Sequence, residues 1–410
     1  MSTCSQPTSR SHRSRPVPFL PKILISCGEP SGDLYAGALA TEILRLDPSS
    51  QIFGLGGERF QAGGGRLLDD YHGLAATGLI EALRVLPRSV AVYRRLVGAA
   101  QAERPDVFVA IDFPEINFRV ARRVKQLGIP VVYYIPPQLW AWRQGRIRDI
   151  QQFATRVIVI FPFEEELYQR SAIPVQFVGH PLVDLAKARV TREAFLHEFG
   201  LEPIAPVVAL LPGSRPNEVS RILPVLWQAA ARVAHVVPQA QFVIARAPHL
   251  DDRLFANLPA IGSRPSAIVT ARTDDVLTSA DVVATASGTA TVQTAIHGVP
   301  MVVVYRLSPL TYALGRRFVR VSTYAMVNLI AGRKIVPELI QDDCSPEQVA
   351  SEIIRYLTDP SHATRVRTSL AEVRDRLGSG GASARAASAI LEIARSKVRG
   401  QRSKVKMTNL

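Results

Sequence analysis

The chain has 410 residues, of which 47% are hydrophobic and 20% are charged, and its formal net charge is +14. A chain of this length and composition holds about two or three domains with sizeable cores, which excludes extended disorder, collagen and a disulfide-stapled miniprotein. Its three cysteines lie too far apart in sequence for a zinc knuckle or a CxxC redox pair, so a reducing compartment is expected.

In the first half of the chain, short apolar runs rich in β-branched residues alternate with segments of helical spacing. The predicted strands are Lys22–Ser26, Gln51–Gly54, Val107–Ile111, Val131–Ile135 and Val157–Phe161. The predicted helices are Ala36–Leu46, Val85–Gln101, Glu115–Leu127 and Phe163–Ser171. Strands that alternate with helices predict a parallel sheet covered on both faces.

The second half repeats this alternation. Its predicted strands are Val207–Leu211, Phe242–Ala245, Ala267–Thr270, Val282–Thr285 and Met301–Tyr305. Its predicted helices are Ile222–Val236, Thr273–Ser279 and Val292–His297, followed by terminal helices within residues 347–395. Because a polar stretch at residues 184–205 separates the two series, the sequence predicts an α/β chain with two Rossmann-like domains and a cleft between them.

These patterns divide the chain into five regions. We expect a disordered basic tail at 1–20, Rossmann-like domains at 21–185 and 186–365, terminal helices at 366–395 that pack back, and a second disordered basic tail at 396–410. Together with Arg395, which directly precedes the second tail, the two tails supply nine of the fourteen net positive charges. Basic tails suit an anionic membrane surface as well as they suit nucleic acid. A weakly charged body without a recognised binding module makes nucleic acid the less favoured partner.

Membrane insertion and secretion are not expected from the hydropathy pattern. No apolar run approaches the roughly 20 residues needed to span a bilayer, and no hydrophobic signal core precedes the first strand. The sequence therefore predicts a cytoplasmic protein.

Two loops of the first domain each follow a predicted strand and open a helix. In Gly28–Asp33 the glycines would let backbone N–H groups approach a ligand, although Ser31 and Asp33 serve equally well as helix caps. Asp112 follows the strand Val107–Ile111, at the edge where parallel sheets bind ligands. It either removes a proton from an attacking hydroxyl or supports the helix N-terminus.

Three other segments of the first domain have both functional and structural interpretations. Trp140–Arg148 interleaves two tryptophans with three arginines, so it would stack on a sugar, hold a phosphate, contact lipid headgroups, or simply pack as an aromatic loop. His180 lines the cleft or packs in the core. The apolar stretch Leu74–Leu86 is either core or an amphipathic lid that touches acyl chains.

In the second domain, two loops have the residues of phosphate sites. Gly213-Ser214-Arg215 offers backbone donors and one fixed cation at a helix start, and Ser287–Thr291 offers small residues and hydroxyl donors at another. Together they predict a domain that binds a phosphorylated nucleotide. Because the chain has no Asp-x-Asp pair, HExxH motif or Cys/His cluster, no metal site is expected.

In their order and spacing, these motifs resemble those of the lipid-A-disaccharide synthase family, which are inverting two-Rossmann (B-type) glycosyltransferases of Gram-negative bacteria. The matching segments span residues 22–345. They are Gly28–Asp33, Ile111–Asn117, Trp140–Arg146, Gly179–Pro181, Leu211–Arg215, Ser287–Thr291, Met326–Arg333 and Val336–Leu339.

The resemblance implies a reaction in which UDP-2,3-diacylglucosamine donates its sugar to the 6-hydroxyl of 2,3-diacylglucosamine 1-phosphate. The products would be a β-1,6-linked lipid A disaccharide 1-phosphate and UDP, with no metal or other cofactor. The acceptor and the membrane would face residues 21–185, and the UDP-sugar would bind residues 186–365. The enzyme would act at the anionic cytoplasmic face of the inner membrane, with a homodimer left open as an assembly.

The resemblance also implies a set of site residues. Asp112 would be the general base. The UDP and diphosphate residues would be Gly213, Ser214, Arg215, Ser287, Gly288, Thr289, Ala290, Thr291, Gln293 and Asn328. The acceptor or cleft residues would be Glu29, Ser31, Gly32, Asp33, Trp140, Trp142, Arg143 and His180. The acyl-chain or membrane contacts would be Leu79, Ile80, Leu83 and Leu86.

One position departs from the family pattern. The family commonly has Glu where this chain has Gln293, and a Glu would accept hydrogen bonds from ribose hydroxyls with a full charge. Gln keeps the acceptor but loses the charge-assisted strength. A change in donor affinity or nucleotide preference is therefore expected.

Two other functions fit the same features. The features would also suit another two-Rossmann UDP-sugar enzyme, such as a 2-epimerase or a transferase with a soluble acceptor. Dependence of activity on the acyl chains of the substrates would distinguish the lipid-A-disaccharide synthase from these enzymes. A non-catalytic nucleotide-binding or membrane-binding relative is the other possibility; Asp112 and Arg215 argue against it and Gln293 leaves it open.

Overall fold

The computed structural model describes residues 20–74, 79–139, 144–261, 266–306 and 323–408, with the backbone alone for 79–84, 144 and 398–408. The first sheet is built from β1 Lys22–Cys27, β2 Gln51–Gly56, β3 Arg66–Asp70, β4 Val107–Ile111, β5 Val131–Tyr134, β6 Arg156–Val159 and β7 Val175–Phe177. All its pairings are parallel, in the order β3-β2-β1-β4-β5-β6-β7.

The second sheet has the same kind of topology. It is built from β8 Val207–Leu211, β9 Gln241–Arg246, β10 Ser266–Thr270, β11 Val282–Ala286, β12 Met301–Tyr305 and β13 Glu338–Ile340. Its strands are parallel in the order β10-β9-β8-β11-β12-β13. The predicted class, two Rossmann-like α/β sheets, is confirmed.

Helices connect the strands of both sheets. In the first half they are α1 Pro30–Leu46, α2 Glu58–Ala62, α3 Leu79–Glu103, α4 Pro114–Gln126, α5 Ile147–Phe153, α6 Pro162–Arg170, α7 Leu182–Leu185 and α8 Arg192–Glu198. In the second half they are α9 Pro216–Val236, α10 Thr273–Ser279, α11 Thr289–Ile296, α12 Met326–Ala331, α13 Pro346–Thr358, α14 Pro360–Arg376 and α15 Ala382–Thr408. Proline opens six of these helices because its fixed φ suits the first turn, where its missing N–H costs nothing.

Side chains of the first sheet alternate between two cores. Ile23 and Ile25 of β1 face the core that continues into the second sheet, whereas Leu24 faces a separate core under α3, α4 and α5. The sheet is therefore covered on both faces, as its continuous apolar strands predict.

The chain passes between its two halves twice, and the two passages are hydrogen-bonded to each other. Arg385 donates from Nε and Nη2 to the carbonyl of Val178, at 2.9 and 2.7 Å. The Asp184 carboxylate accepts the Gly381 N–H at 2.7 Å. After the second passage α15 packs on α1 of the first domain, so the terminal helices do pack back.

The expected disorder of the C-terminal tail is wrong for residues 396–408, because α15 continues to Thr408. Lys and Arg are good helix formers and this stretch has no proline. One of its charges is used within the fold, because Lys397 donates to the Pro105 carbonyl at 2.8 Å. Arg395, which directly precedes this stretch, pairs with Asp47 at 2.9 Å. The expected N-terminal tail, residues 1–19, lies outside the described residues. No helix in the described ranges is long and apolar enough to cross a membrane.

Candidate active site

The loops at the centre of both sheets open into one cavity of about 1380 Å³. The strand order reverses between β1 and β4 in the first sheet and between β8 and β11 in the second, and parallel sheets bind ligands at such points. Each of these four strands is followed by a residue that lines the cavity. They are Glu29, Asp112, Arg215 and Thr289.

Asp112 follows β4 in a strained backbone conformation. Asp112 and the next residue, Phe113, both have left-handed φ angles, 43° and 49°, and Ile135 at the end of neighbouring β5 has a φ of 54°. Non-glycine residues adopt this region at a cost, and such strain concentrates at functional sites. The strain turns the chain sharply between β4 and α4, so that Asp112 lines the cavity.

The buried side chain of Asn117 holds this turn in place. Its amide donates to the carbonyls of Ser26, Ile111 and Asp112 at 3.2, 3.2 and 2.8 Å, and its oxygen accepts the Ser26 hydroxyl at 2.7 Å. The Tyr133 hydroxyl also donates to the Asp112 carbonyl, at 3.0 Å. Asn117 therefore ties the ends of β1 and β4 together behind Asp112.

The surroundings of Asp112 raise the pKa of its carboxyl group to about 7. Removal from bulk water is the largest cause, followed by the negative charges of Glu29 and Glu115; the charge of Arg215 acts in the opposite direction. A carboxylate with a pKa near neutrality is a competent general base at physiological pH.

Arg215 stands opposite Asp112, at the start of α9, and bridges the two domains. Its guanidinium donates to Glu29 of the first domain at 2.7 Å and to Glu218 at 3.3 Å. The helix N-terminus and the cation together suit an anionic ligand such as a diphosphate.

The glycine-rich loop after β1 has a different role from the expected one. A Cβ at Gly28 would lie 2.1 Å from the Phe113 ring, and one at Gly32 would lie 3.1 Å from Cys27, so both glycines make room for packing. Asp33 is buried, and its carboxylate accepts backbone N–H groups at the start of α2, including those of Gly57 and Phe60 at 2.6 and 3.0 Å. Asp33 is therefore a structural cap across two helices rather than a group facing the cavity, whereas Ser31 and Gly32 do line it.

In the second domain, the loop before α11 is open where a ligand would approach. Gly288 has a φ of 151° and no atom within 4 Å of the position of a Cβ, so glycine is required here by conformation rather than by crowding. Ser287 donates its hydroxyl to the Tyr324 carbonyl at 3.3 Å, and Thr291 donates its hydroxyl to the Gly288 carbonyl at 2.8 Å. Ala290 follows in the first turn, which presents its N–H groups at the cavity edge.

In the loop before α9, close packing restricts position 213 to glycine, and the backbone of Ser214 contacts a side chain of the protein. Gly213 has a φ of 117°, and a Cβ there would meet the Glu218 carboxylate at 2.8 Å. The Ser214 carbonyl contacts His249 Nε2 at 2.7 Å.

Two expected nucleotide-binding side chains form hydrogen bonds within the protein. Asn328 is buried, donates to Val336 and Glu338 at 3.0 and 2.7 Å, and accepts the N–H groups of Ile335 and Val336. Its amide has no hydrogen-bonding capacity left, so it braces the segment that brings Met326 to the cavity. Gln293 donates to the Asp274 carboxylate at 2.7 Å.

His180 lines the cavity as a neutral side chain. Burial lowers the pKa of its imidazole to about 3. Its Nδ1 accepts the Leu182 N–H at 3.1 Å, which leaves the proton on Nε2. Its ring packs edge-on against Tyr35 and beside Phe161. It is a donor and not a proton acceptor for the cavity.

The remaining expected contacts divide into two groups. Leu74 and Leu86, at the two ends of the stretch, both line the cavity; Leu86 is 47% exposed, whereas Leu74 is buried in the core. The side chains of Leu79, Ile80 and Leu83, and residues Trp140, Trp142 and Arg143, lie outside the described residues.

Sequence reasoning missed several residues at the site. The motif Ile111–Asn117 gives no indication of the role of Asn117, and no motif contains the cavity arginines Arg94 and Arg119. Their only signal is helical spacing, which places Arg119 one turn after Glu115 on the same face. Throughout the described ranges, no group of three His, Cys, Asp or Glu side chains is arranged to hold a metal ion.

Comparisons with known proteins agree on family and fold. A family model for lipid-A-disaccharide synthetase matches residues 23–393. The lipid-A-disaccharide synthase of Geobacter sulfurreducens is 41% identical over 375 residues, covering 91% of this chain and 97% of its own.

Two solved structures share the fold at low identity. The kitacinnamycin glycotransferase is 17% identical with a TM-score of 0.63, covering 92% of this chain and 100% of its own. The UDP-GlcNAc 2-epimerase of Neisseria meningitidis, bound to UDP-GlcNAc, is 14% identical with a TM-score of 0.65, covering 90% and 100%.

Proposed function

The chain belongs to the lipid-A-disaccharide synthetase family and is a glycosyltransferase that forms the lipid A disaccharide; we propose that it does so by a single inverting displacement with Asp112 as general base. The donor would be UDP-2,3-diacylglucosamine and the acceptor the 6-hydroxyl of 2,3-diacylglucosamine 1-phosphate. The observation that carries the proposal is the placement of Asp112 and Arg215 on opposite walls of one cavity.

On the donor side, Arg215 would stabilise the diphosphate of UDP. Its present partners are Glu29 and Glu218, so donor binding would exchange carboxylate contacts for phosphate contacts. The N–H groups at the start of α9 and α11 would add backbone donors. As the bond between the anomeric carbon and the diphosphate breaks, the guanidinium would balance the developing charge of the departing UDP.

On the acceptor side, Asp112 would take the proton of the 6-hydroxyl while its oxygen forms a bond to the anomeric carbon. A carboxyl group with a pKa of about 7 is ionised in about half the molecules at neutral pH and more above it. His180 would donate from Nε2 to a substrate oxygen, because its neutral ring has no free acceptor nitrogen facing the cavity.

The membrane would lie beside the first domain. Leu86 is exposed where α3 borders the cavity, which suits acyl chains entering from a lipid surface. The basic residues of the second half of α15 and of the N-terminal segment would add attraction to anionic headgroups. We propose a peripheral enzyme of the cytoplasmic face of the inner membrane.

The test is UDP release by the purified protein with detergent-dispersed acceptor and UDP-activated donor, in EDTA. We expect acceptor-dependent release of UDP and a disaccharide product, which would establish metal independence at the same time. Turnover with a soluble acceptor, or epimerisation of the donor, would favour the other two-Rossmann enzymes. Failure to bind donor at all would favour a non-catalytic relative.

Replacing the base tests its assignment. Asp112→Asn keeps the shape and hydrogen-bonding size of the side chain but removes the proton acceptor, so kcat should fall about 10²- to 10⁴-fold. UDP affinity, measured by calorimetry, should not fall, because the variant keeps every proposed donor contact and removes a negative charge from the neighbourhood of Arg215 and the diphosphate. A folded variant that keeps more than a tenth of the wild-type turnover would rule out Asp112 as the base.

The role of Asn117 follows from its contacts with the backbone of Asp112. Asn117→Ala should lower kcat by tenfold or more, since the strained turn loses the amide hydrogen bonds to the Ile111 and Asp112 carbonyls, while UDP affinity stays unchanged. Introduced into Asp112→Asn, the same change should cost little further activity because it acts through Asp112. Equal losses in the two backgrounds would instead show general destabilisation.

The pH profile tests the electrostatics of the site. kcat/KM should rise as pH increases through about 7, because the Asp112 carboxyl group must lose its proton. Glu29→Gln removes a negative charge that raises this pKa, so the acid limb should move to lower pH. The control is Glu218→Gln, which also frees Arg215 but should move the limb less. If the acid limb of the kcat/KM profile stays at the same pH in Glu29→Gln, the assignment of that limb to Asp112 is contradicted.

A further inference from the structure

The first-domain wall of the cavity carries three arginines in addition to the expected site residues. They are Arg94 of α3, Arg119 of α4 and Arg146, which directly precedes α5. Arg94 and Arg119 are exposed to solvent, whereas Arg146 is half-buried. The three come from separate segments of the chain, yet all line the same cavity.

Among the described residues, these three arginines have no acidic partner, unlike several arginines on the same helices. On α3, Arg88 and Arg95 both form ion pairs with Asp69, at 2.9 and 2.7 Å. On α4, Arg122 pairs with Asp149 at 2.8 Å. Within the part of the chain that the structure describes, Arg94, Arg119 and Arg146 form no ion pair. The cavity therefore has cations whose charge the fold leaves uncompensated.

Arg146 is also held in position. Its guanidinium lies over the Phe118 ring, 5.4 Å from the centroid. Such stacking fixes the plane of the guanidinium and leaves its N–H groups free to donate in that plane. A fixed guanidinium binds a phosphate with less loss of side-chain entropy than a mobile one.

The donor does not account for this charge. Its diphosphate is assigned to Arg215 on the second-domain wall, where Arg221 and Arg306 also line the cavity. A separate basic wall beside the base requires a second anion. The acceptor of the proposed reaction has one, the phosphomonoester on its anomeric carbon.

Position along the helices fits an amphiphilic acceptor. On α3 the cavity face runs from Val85 and Leu86 to Arg94, about 13 Å farther along the axis, so an apolar end leads to a cationic end. On α4, Arg119 lies about 7 Å along the axis from the start of the helix beside Asp112. Glu115, the acid on this helix face, lies at the base end, where it raises the pKa of Asp112.

We propose that Arg94, Arg119 and Arg146 form the subsite that binds the phosphomonoester of the acceptor. This assignment rests on the proposed function. It extends that function by specifying how the acceptor is oriented in the cavity. With the phosphate on this wall and the acyl chains toward Leu86, the 6-hydroxyl is left to face Asp112. The subsite would thereby select a sugar 1-phosphate over its dephosphorylated form.

The test compares two acceptors, 2,3-diacylglucosamine 1-phosphate and 2,3-diacylglucosamine, in the wild type and in Arg119→Gln and Arg146→Gln. In the wild type, loss of the phosphate should raise the acceptor KM by tenfold or more. In each variant this penalty should shrink by about tenfold, while kcat at saturating acceptor and the KM for the donor stay near wild-type values. Arg119→Lys, which keeps the charge, should keep most of the discrimination.

Arg123→Gln is the matched control, because Arg123 lies on α4 and contacts only Gln126 through its side chain in the described residues, outside the cavity. It should leave the phosphate penalty unchanged. The assignment is overturned if the wild type shows no penalty, or if all variants keep the full penalty. It is also overturned if the variants lose activity equally with both acceptors. Absence of turnover with either acceptor would remove the proposed function itself.

Discussion

The ion pair between Arg215 and Glu29 joins the two halves of the site, because each residue follows the central strand of its own sheet. The pair is 2.7 Å long but partly exposed, so its contribution to stability is at most about 1 kcal/mol. Its importance is positional: it places a cation of the donor domain next to the carboxylates of the acceptor domain. A diphosphate that takes Arg215 from Glu29 would also remove a positive charge from the neighbourhood of Asp112. Donor binding and the basicity of the Asp112 carboxylate would thus be linked through one guanidinium.

Backbone strain supplies the other half of the arrangement. Asp112, Phe113 and Ile135 are all left-handed at the ends of adjacent strands, at a cost of about 1–3 kcal/mol each. Asn117 offsets part of this cost with hydrogen bonds to the Ile111 and Asp112 carbonyls, and Gly28 makes room for the Phe113 ring. Residues that do not line the cavity, such as Asn117 and Gly28, therefore support the turn that carries Asp112.

The sequence predicts the interior of both sheets within two residues at each strand end, since doubly covered parallel strands are continuous apolar runs. It misses β3, β7 and β13, which are outer strands with only partly buried side chains and therefore have no such run. The loops that form the site are also predictable, because they follow interior strands. The direction in which the Asp33 and Asn328 side chains point is not predictable from the sequence. Both side chains use their hydrogen-bonding capacity on backbone groups that are not their immediate neighbours in sequence.

Hydrogen bonds with residues distant in sequence also account for Gln293 of the second domain. Gln293 belongs to a hydrogen-bonded chain in which Thr278 contacts His297, His297 contacts Asp274 at 2.9 Å, and Asp274 accepts the Gln293 amide. A Glu at 293 would bring a second carboxylate within hydrogen-bonding distance of Asp274, where like charges repel. The carboxylate of this pair is supplied by Asp274 of α10. At this position Gln supplies an N–H donor for the Asp274 carboxylate, which an ionised Glu could not do.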